Sequence, residues 1–111
     1  MKIITIALTI LLAAPLAFAE LSPITKIKRL YTYDNKALIE IEDQHANAIG
    51  CSSPKSGRYV VLNFDTTSGK EMYSAALSAF MADSKISIGF AKCQKWGATT
   101  LPTAYRVELI K

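Results

Sequence analysis

The residues best suited to hold a ligand are aromatic and basic side chains at two separate places in the chain. Lys28, Arg29, Tyr31 and Tyr33 fall within one short segment, and Trp96 is the only tryptophan. Aromatic rings stack on flat ligand faces while cations pair with ligand charges, so this mixture can hold an acidic sugar or a nucleic-acid strand. These five residues form the candidate ligand-binding set. The simpler interpretation is a solvated, charged strand edge and a tryptophan that packs over one end of the fold or covers a disulfide.

Cys51 and Cys93 are the only cysteines, and His45 is the only histidine. An even pair of cysteines in an exported protein predicts a disulfide, worth about 4 kcal/mol in the chain-entropy model. A catalytic thiol assisted by His45 is disfavoured, because the second cysteine is available to pair with the first. The three residues also lack the spacing of a metal site, so we expect no metal or other cofactor.

The carboxylates form no recognisable catalytic group. Asp43 lies close enough to His45 in sequence to act with it as acid and base, but no nucleophile or third orienting group accompanies them. Glu40 and Glu42 are predicted to point outward from one strand, whereas glycosidase carboxylates face each other across a cleft. We therefore expect a protein that is not an enzyme.

The amino-terminal segment has the pattern of a secretory signal peptide over residues 1–19. Lys2 provides a positive start, a long apolar run follows, and Ala17-Phe18-Ala19 fits the small-x-small pattern of a cleavage site. We expect cleavage after Ala19, a secreted or periplasmic location, and one small domain over residues 20–111. Later apolar runs are too short to span a bilayer, so no stable membrane insertion is expected after cleavage.

Composition and net charge limit the classes of binding partner that we expect. The chain has 111 residues, a formal net charge of +4 and a hydrophobic content of 50%, part of which belongs to the predicted signal peptide. A charge this modest is far from the basic footprint of a nucleic-acid-binding protein, and export argues against nucleic acid as well. A glycan or another exported protein remains as the expected partner.

Alternating apolar residues predict five short strands. The first four cover residues 25–33, 37–42, 58–64 and 85–91, and a last strand turns Tyr105, Val107 and Leu109 inward. Neither face of the first strand is cleanly apolar, which suggests a bulge or an edge position. A tight turn at Asp34 joins the first two strands as a hairpin. Residues 44–57 and 92–103 are predicted loops.

One helix is predicted over residues 68–82. Ser68 and Glu71 fit a capping box, in which each side chain satisfies a free backbone donor at the helix start. Apolar residues recur at helical spacing and predict a core-packing stripe, formed by Met72, Ala76, Ala79 and Phe80 and widened by Tyr73, Leu77 and Met81.

The order of elements predicts an α+β, mostly β fold. Five strands with one helix between the third and fourth is the order of an OB-fold, a small, partly open Greek-key barrel. The alternative is an open antiparallel sheet with one packed helix. In either fold, a Cys51–Cys93 bridge would tie together the two loops that flank the helical crossover.

A resemblance covers roughly residues 51–111. The stretch SGKEMYSAALSAFMADSKISIGFAKC resembles a segment of many small exported bacterial proteins of unknown function, and YVVLNF and VELI are similar too. The same helix–strand arrangement resembles the OB-fold B subunits of subtilase-cytotoxin-type AB5 toxins, which are pentamers that bind sialylated glycans. The resemblance implies glycan binding and a ring of five, and it transfers no binding residue to this chain.

Together these features predict a non-catalytic exported binding module for a glycan, in the manner of toxin B subunits. The alternative is a periplasmic or secreted interaction or inhibitor domain that acts on one protein partner.

Overall fold

The computed structural model describes residues 19–111, so the predicted signal peptide lies outside the described residues apart from Ala19. The described part of the chain forms one helix, α1 (Thr67–Ala82), and six strands: β1 (Glu20–Leu21), β2 (Ile27–Tyr33), β3 (Lys36–Ile41), β4 (Tyr59–Asn63), β5 (Lys85–Trp96) and β6 (Thr99–Ile110). Within residues 19–111, no helix has the length and apolar character that crossing a membrane requires.

The strands form one open, mixed sheet in the order β1-β5-β6-β4-β3-β2. Every neighbouring pair is antiparallel except β4 and β6, which run parallel and align Val61 with Thr103. The mostly β, α+β prediction is therefore confirmed. The sheet has a sixth strand and is not a closed five-stranded barrel, and its parallel pair also departs from the antiparallel alternative. The two-residue β1 is too short to leave an alternating pattern in the sequence.

The segment over residues 20–27 pairs with β5 near one edge of this sheet and with β3 near the other. Its amino-terminal part pairs with β5, where the Ser22 amide donates to the Ile88 carbonyl at 2.8 Å and the Thr25 amide donates to the Ile86 carbonyl at 2.9 Å. The chain then reaches β3, where Ile27 pairs with Ile41. One continuous segment thus connects β5, near one edge of the sheet, with β3, near the other edge.

The predicted irregularity of the first strand is confirmed. β2 lies at an edge of the sheet and carries a bulge between Ile27 and Arg29. The bulge places Ile27 in the main core together with Leu30. Arg29 and Tyr31 consequently lie on the opposite face of the sheet, because side chains alternate between faces along a strand.

The helix begins two residues earlier than the predicted capping box implies. Thr66 is the N-cap, and its hydroxyl accepts a hydrogen bond from the Gly69 amide at 3.0 Å. Ser68 is therefore a first-turn residue and not the cap. A Cβ at Gly69 would overlap the Asn63 carbonyl oxygen, so glycine allows the first turn to pack directly on the end of β4.

The main core lies between α1 and one face of the sheet, here called the helix face. Its largest fully buried side chains come from three strands: Ile39, Ile41, Val60, Leu62, Ile86, Ile88 and Phe90. On the helix, Ala76 and Ala79 are buried, and Met72 and Tyr73 pack at the margin. The predicted helical stripe is too wide, because the small alanines provide the close contact and leave Leu77, Phe80 and Met81 exposed.

The predicted loop over residues 92–103 is wrong. β5 and β6 continue through it as one long hairpin whose register runs to Trp96 opposite Thr99. Gly97 begins the two-residue turn with a φ of 66°, a conformation that favours glycine. Pro102 suggested a loop, yet it is buried in β6 close to a register irregularity, where a proline is tolerated.

The predicted inward face of the last strand is also wrong in part. Tyr105 and Leu109 are exposed, and Val107 is half-buried. The register skips Tyr105, because Gly89 pairs with Arg106 and Phe90 with Ala104. This bulge disrupts the alternation on which the prediction depended, and the Tyr105 ring lies over Gly89 instead.

Candidate binding site

The face of the sheet opposite α1, here called the open face, carries a second and smaller apolar cluster. Leu38, Val61 and Leu101 are buried there, and Tyr31, Tyr59 and Trp96 pack against them. These residues alternate along their strands with those of the helix face, so their side chains point away from α1. The sheet is therefore apolar on both sides.

A pocket of about 320 Å³ lies on the open face. β2, β3, β4 and the β5–β6 hairpin supply most of its walls, and the loop before β4 supplies the remainder. The lining residues are Tyr31, Tyr33, Leu38, Ser53, Lys55, Tyr59, Trp96 and Leu101. We call it the aromatic pocket. It brings together three of the five candidates, Tyr31, Tyr33 and Trp96, from opposite ends of the sequence.

Trp96 stands at the end of β5 and packs against residues of the β2–β3 hairpin. Its ring meets that of Tyr33 edge to face, with centroids 5.5 Å apart and planes inclined by 75°. The Lys36 ammonium lies 5.3 Å from the centroid of the indole. Trp96 is half-buried, so it is both a packed residue and a ring that borders the pocket.

The two basic candidates lie in different surroundings. Arg29 adjoins the aromatic pocket, because its Nη1 donates a hydrogen bond to the Tyr31 hydroxyl at 3.1 Å. Lys28 is exposed at the bulge of β2 and is not among the residues that line the pocket. The ligand-binding role of both residues stays a prediction.

Cations surround the aromatic rings. The Lys55 ammonium lies 5.6 Å from the centroid of Tyr59, which complements the Lys36–Trp96 contact on the other side. Partial burial, together with the negative charge of Glu40, raises the pKa of the Tyr59 phenol, which stays protonated at neutral pH. Three cations, Arg29, Lys36 and Lys55, thus border an aromatic pocket, a setting suited to a polyhydroxylated or acidic ligand.

A disulfide and a pair of hydrogen bonds hold the loop before β4 in place. Cys51 and Cys93 form a disulfide with their Cα atoms 5.4 Å apart, which confirms the predicted bridge. The Ser52 amide donates to Thr100 Oγ1 at 2.8 Å, and the Thr100 amide donates to Ser52 Oγ at 2.9 Å. These bonds fix Ser53 and Lys55 beside the β5–β6 hairpin.

Sequence reasoning missed five lining residues, which are Leu38, Ser53, Lys55, Tyr59 and Leu101. A signal for part of the set is present, because YVVL in β4 and ALI in β3 are apolar at consecutive positions. Such runs are typical of strands covered on both faces. Glu40 was predicted to point outward into solvent, but it is buried on the open face, 6% exposed, because Arg29 and Tyr59 flank it.

His45 lies apart from the aromatic pocket and pairs with Glu20 instead of Asp43. Its Nδ1 is 3.3 Å from Glu20 Oε2, and its ring packs on Phe90 with centroids 4.3 Å apart. Burial lowers the pKa of His45, and the charge of Glu20 opposes that shift in part. His45 Nδ1 accepts a hydrogen bond from the Asn47 amide at 3.0 Å. Glu20 Oε1 accepts one from the Ile49 amide at 3.4 Å, so the Glu20 side chain links β1 to the loop after β3.

The described residues contain no group of three or more His, Cys, Asp or Glu side chains placed to hold a metal ion. The aromatic pocket is the feature whose chemistry suits a small ligand best, since it combines an apolar floor, ring walls and a cationic border.

No protein-family model, curated protein or solved structure matches this chain.

Proposed function

We propose that the chain is a non-catalytic binding module whose aromatic pocket holds a saccharide. The observation that carries the proposal is the convergence of Tyr31, Tyr33, Tyr59 and Trp96 around a floor of Leu38 and Leu101. Rings of this kind stack on the apolar faces of sugars, while hydroxyl and ammonium groups at the border bond to sugar oxygens.

The position of the pocket supports an OB-like assignment and a relationship to toxin B subunits. OB-folds bind oligosaccharides on the face of their second and third strands and at the loops after the first and fourth. If the segment from β1 to β2 is counted as one bent strand, β3 and β4 are the second and third strands, and they supply Leu38 and Tyr59. Tyr33 and Trp96 then adjoin the two binding loops.

Export is part of the same proposal. The Cys51–Cys93 disulfide is a bond that persists in oxidising compartments, and it supports a secreted or periplasmic location after cleavage at Ala19. In that setting the accessible partners are cell-surface or free glycans and other exported proteins.

A glycan array tests the proposal directly. We expect the purified chain to bind a subset of glycans, and Trp96→Ala to lose binding at least tenfold to every member of that subset. Tyr105→Ala is the matched control, because Tyr105 is an exposed aromatic residue of β6 outside the pocket. Absence of binding by the folded wild-type chain at high concentration would contradict the proposal.

A protein partner is the second candidate, and one observation favours it. Leu77 and Met81 of α1 and Leu109 of β6 are exposed, with Met81 75% accessible. A contiguous exposed apolar patch marks a contact surface, and the protein-partner candidate requires that these three side chains form one. Oligomeric state bears on the first candidate, because the toxin resemblance implies a ring of five. Sedimentation equilibrium would favour the toxin-like glycan-binding version if it gives five copies and disfavour that version if it gives one.

A further inference from the structure

Glu40 is a buried carboxylate at a position where stability alone would favour an apolar residue. It is the fifth of the six residues of β3, and its neighbours on the open face include Leu38 and Val61. Its Oε1 is fully enclosed and has no hydrogen-bond partner in residues 19–111. Burying a charge without full hydrogen bonding is unfavourable, and an apolar replacement of similar size is often neutral or stabilising.

The contacts of Glu40 lead to two walls of the aromatic pocket. On one side its Oε1 lies 3.5 Å from Arg29 Nε, and the same guanidinium donates through Nη1 to the Tyr31 hydroxyl. On the other side Glu40 pairs in register with Tyr59. A single carboxylate therefore lies beside the guanidinium that bonds to Tyr31 and is the cross-strand neighbour of Tyr59 on the open face.

We infer that Glu40 is the positioning residue of the aromatic pocket. It orients the Arg29 guanidinium toward Tyr31 and lies against Tyr59, so that both rings stand as walls before a ligand arrives. Preorganised walls raise affinity because no side-chain ordering is needed on binding. The inference rests on the proposed function for what the pocket binds, and on the described contacts for how its walls are held.

The arrangement also selects the ligand group that meets Tyr31. A phenol has one proton to donate, and its oxygen already accepts from Arg29. The phenolic proton is therefore directed to another acceptor. A ligand oxygen at this end of the pocket, such as that of a sugar hydroxyl or carboxylate group, can accept this proton.

Two variants of Glu40 and one control test this role. Glu40→Leu removes the charge and the acceptor, Glu40→Gln keeps an acceptor oxygen, and Glu42→Gln removes an exposed charge two residues away. The aromatic NMR resonances of Tyr31 and Tyr59 should shift in Glu40→Leu, shift less in Glu40→Gln, and stay unchanged in the control. Absorbance titration should also show one tyrosine ionising at a lower pH when the Glu40 charge is removed.

Binding is measured with lactose and sialyllactose, using the fluorescence of the only tryptophan, Trp96. We expect Glu40→Leu to weaken the binding of either sugar at least tenfold, while its melting temperature stays equal to or above that of the wild type. A lower melting temperature with unchanged tyrosine spectra would overturn the positioning role and make Glu40 a structural residue only. If the wild type binds neither sugar, the same comparison is made with a glycan that the array identifies, and the tyrosine spectra decide the positioning role in either case.

Discussion

The two faces of the sheet carry different kinds of side chain, although the same strands form both. The helix face is continuous and apolar, with Phe90 at its centre and α1 packed over it. The open face has a floor of three buried apolar residues, and above them stand aromatic rings, cations and the buried carboxylate of Glu40. An uncovered sheet face is ordinarily polar, so apolar and aromatic side chains on the open face are unusual. The difference supports the proposal that the helix face holds the fold and that the open face contacts a ligand.

The largest expected effect is on the helix face. Phe90→Ala removes a fully buried ring of the main core that packs on His45, and it should lower the free energy of unfolding by about 3–5 kcal/mol. Trp96→Ala should lower it by only about 1–2 kcal/mol, because the indole is half-buried. Urea denaturation measures both. Equal losses would remove the distinction between the faces.

Loss of the disulfide should affect both faces. Cys51→Ser combined with Cys93→Ser opens a loop of 42 residues and should lower the free energy of unfolding by about 2–4 kcal/mol. Any glycan binding should weaken too, because Ser53 and Lys55 follow Cys51 in the pocket wall. Thermal melts and array binding under non-reducing conditions measure the two effects. A variant with full affinity would show that the hydrogen bonds between Ser52 and Thr100 hold the wall by themselves.

The packing of α1 on the helix face should be weakened by the addition of one methyl group. Gly69→Ala places a Cβ against the Asn63 carbonyl, and it should cost about 1–3 kcal/mol through overpacking despite the better helix propensity of alanine. Ser68→Ala, at an exposed neighbouring position, is the control. Stability is compared by urea denaturation. A stabilised Gly69→Ala would mean that the first turn does not lie against β4 as described.

The smallest effect is a pH dependence away from the open face. Burial places the pKa of His45 below its ordinary value of 6.5, so the folded state binds fewer protons than the unfolded state below that pH. Protonation of His45 therefore does not affect the free energy of unfolding above pH 6.5. Below pH 6.5 the free energy of unfolding decreases as the pH falls, by at most about 1.4 kcal/mol per pH unit. His45→Gln should flatten this part of the urea-derived stability profile. Parallel wild-type and variant profiles would contradict the burial of His45.

The sequence predicts the helix face well and the open face poorly. Alternation identifies Ile86, Ile88 and Phe90 as buried, and the even pair of cysteines behind a predicted signal peptide identifies the disulfide. Both signals are local or compositional. Tyr31, Tyr33 and Trp96 could be nominated by residue type, but their meeting depends on the sheet order, which no local pattern contains.

The predictions from sequence that proved wrong share one physical cause. The bulge at Tyr105 shifts the alternation by one residue, and a two-residue turn at Gly97 converts a predicted loop into a hairpin. Glu40 appears to be a surface residue when its strand is taken alone. It is buried only because β2 and β4 bring Arg29 and Tyr59 to either side. Pairing between distant segments determined each of these outcomes.

The most direct test of the account is an NMR titration of the isotope-labelled chain with sialyllactose and lactose. The account predicts fast-exchange shifts concentrated on the Trp96 indole and on the ring resonances of Tyr31, Tyr33 and Tyr59, with α1 and Tyr105 unaffected. Shifts centred on Leu77, Met81 and Leu109, or no shifts with either sugar at millimolar concentration, would contradict a saccharide site on the open face.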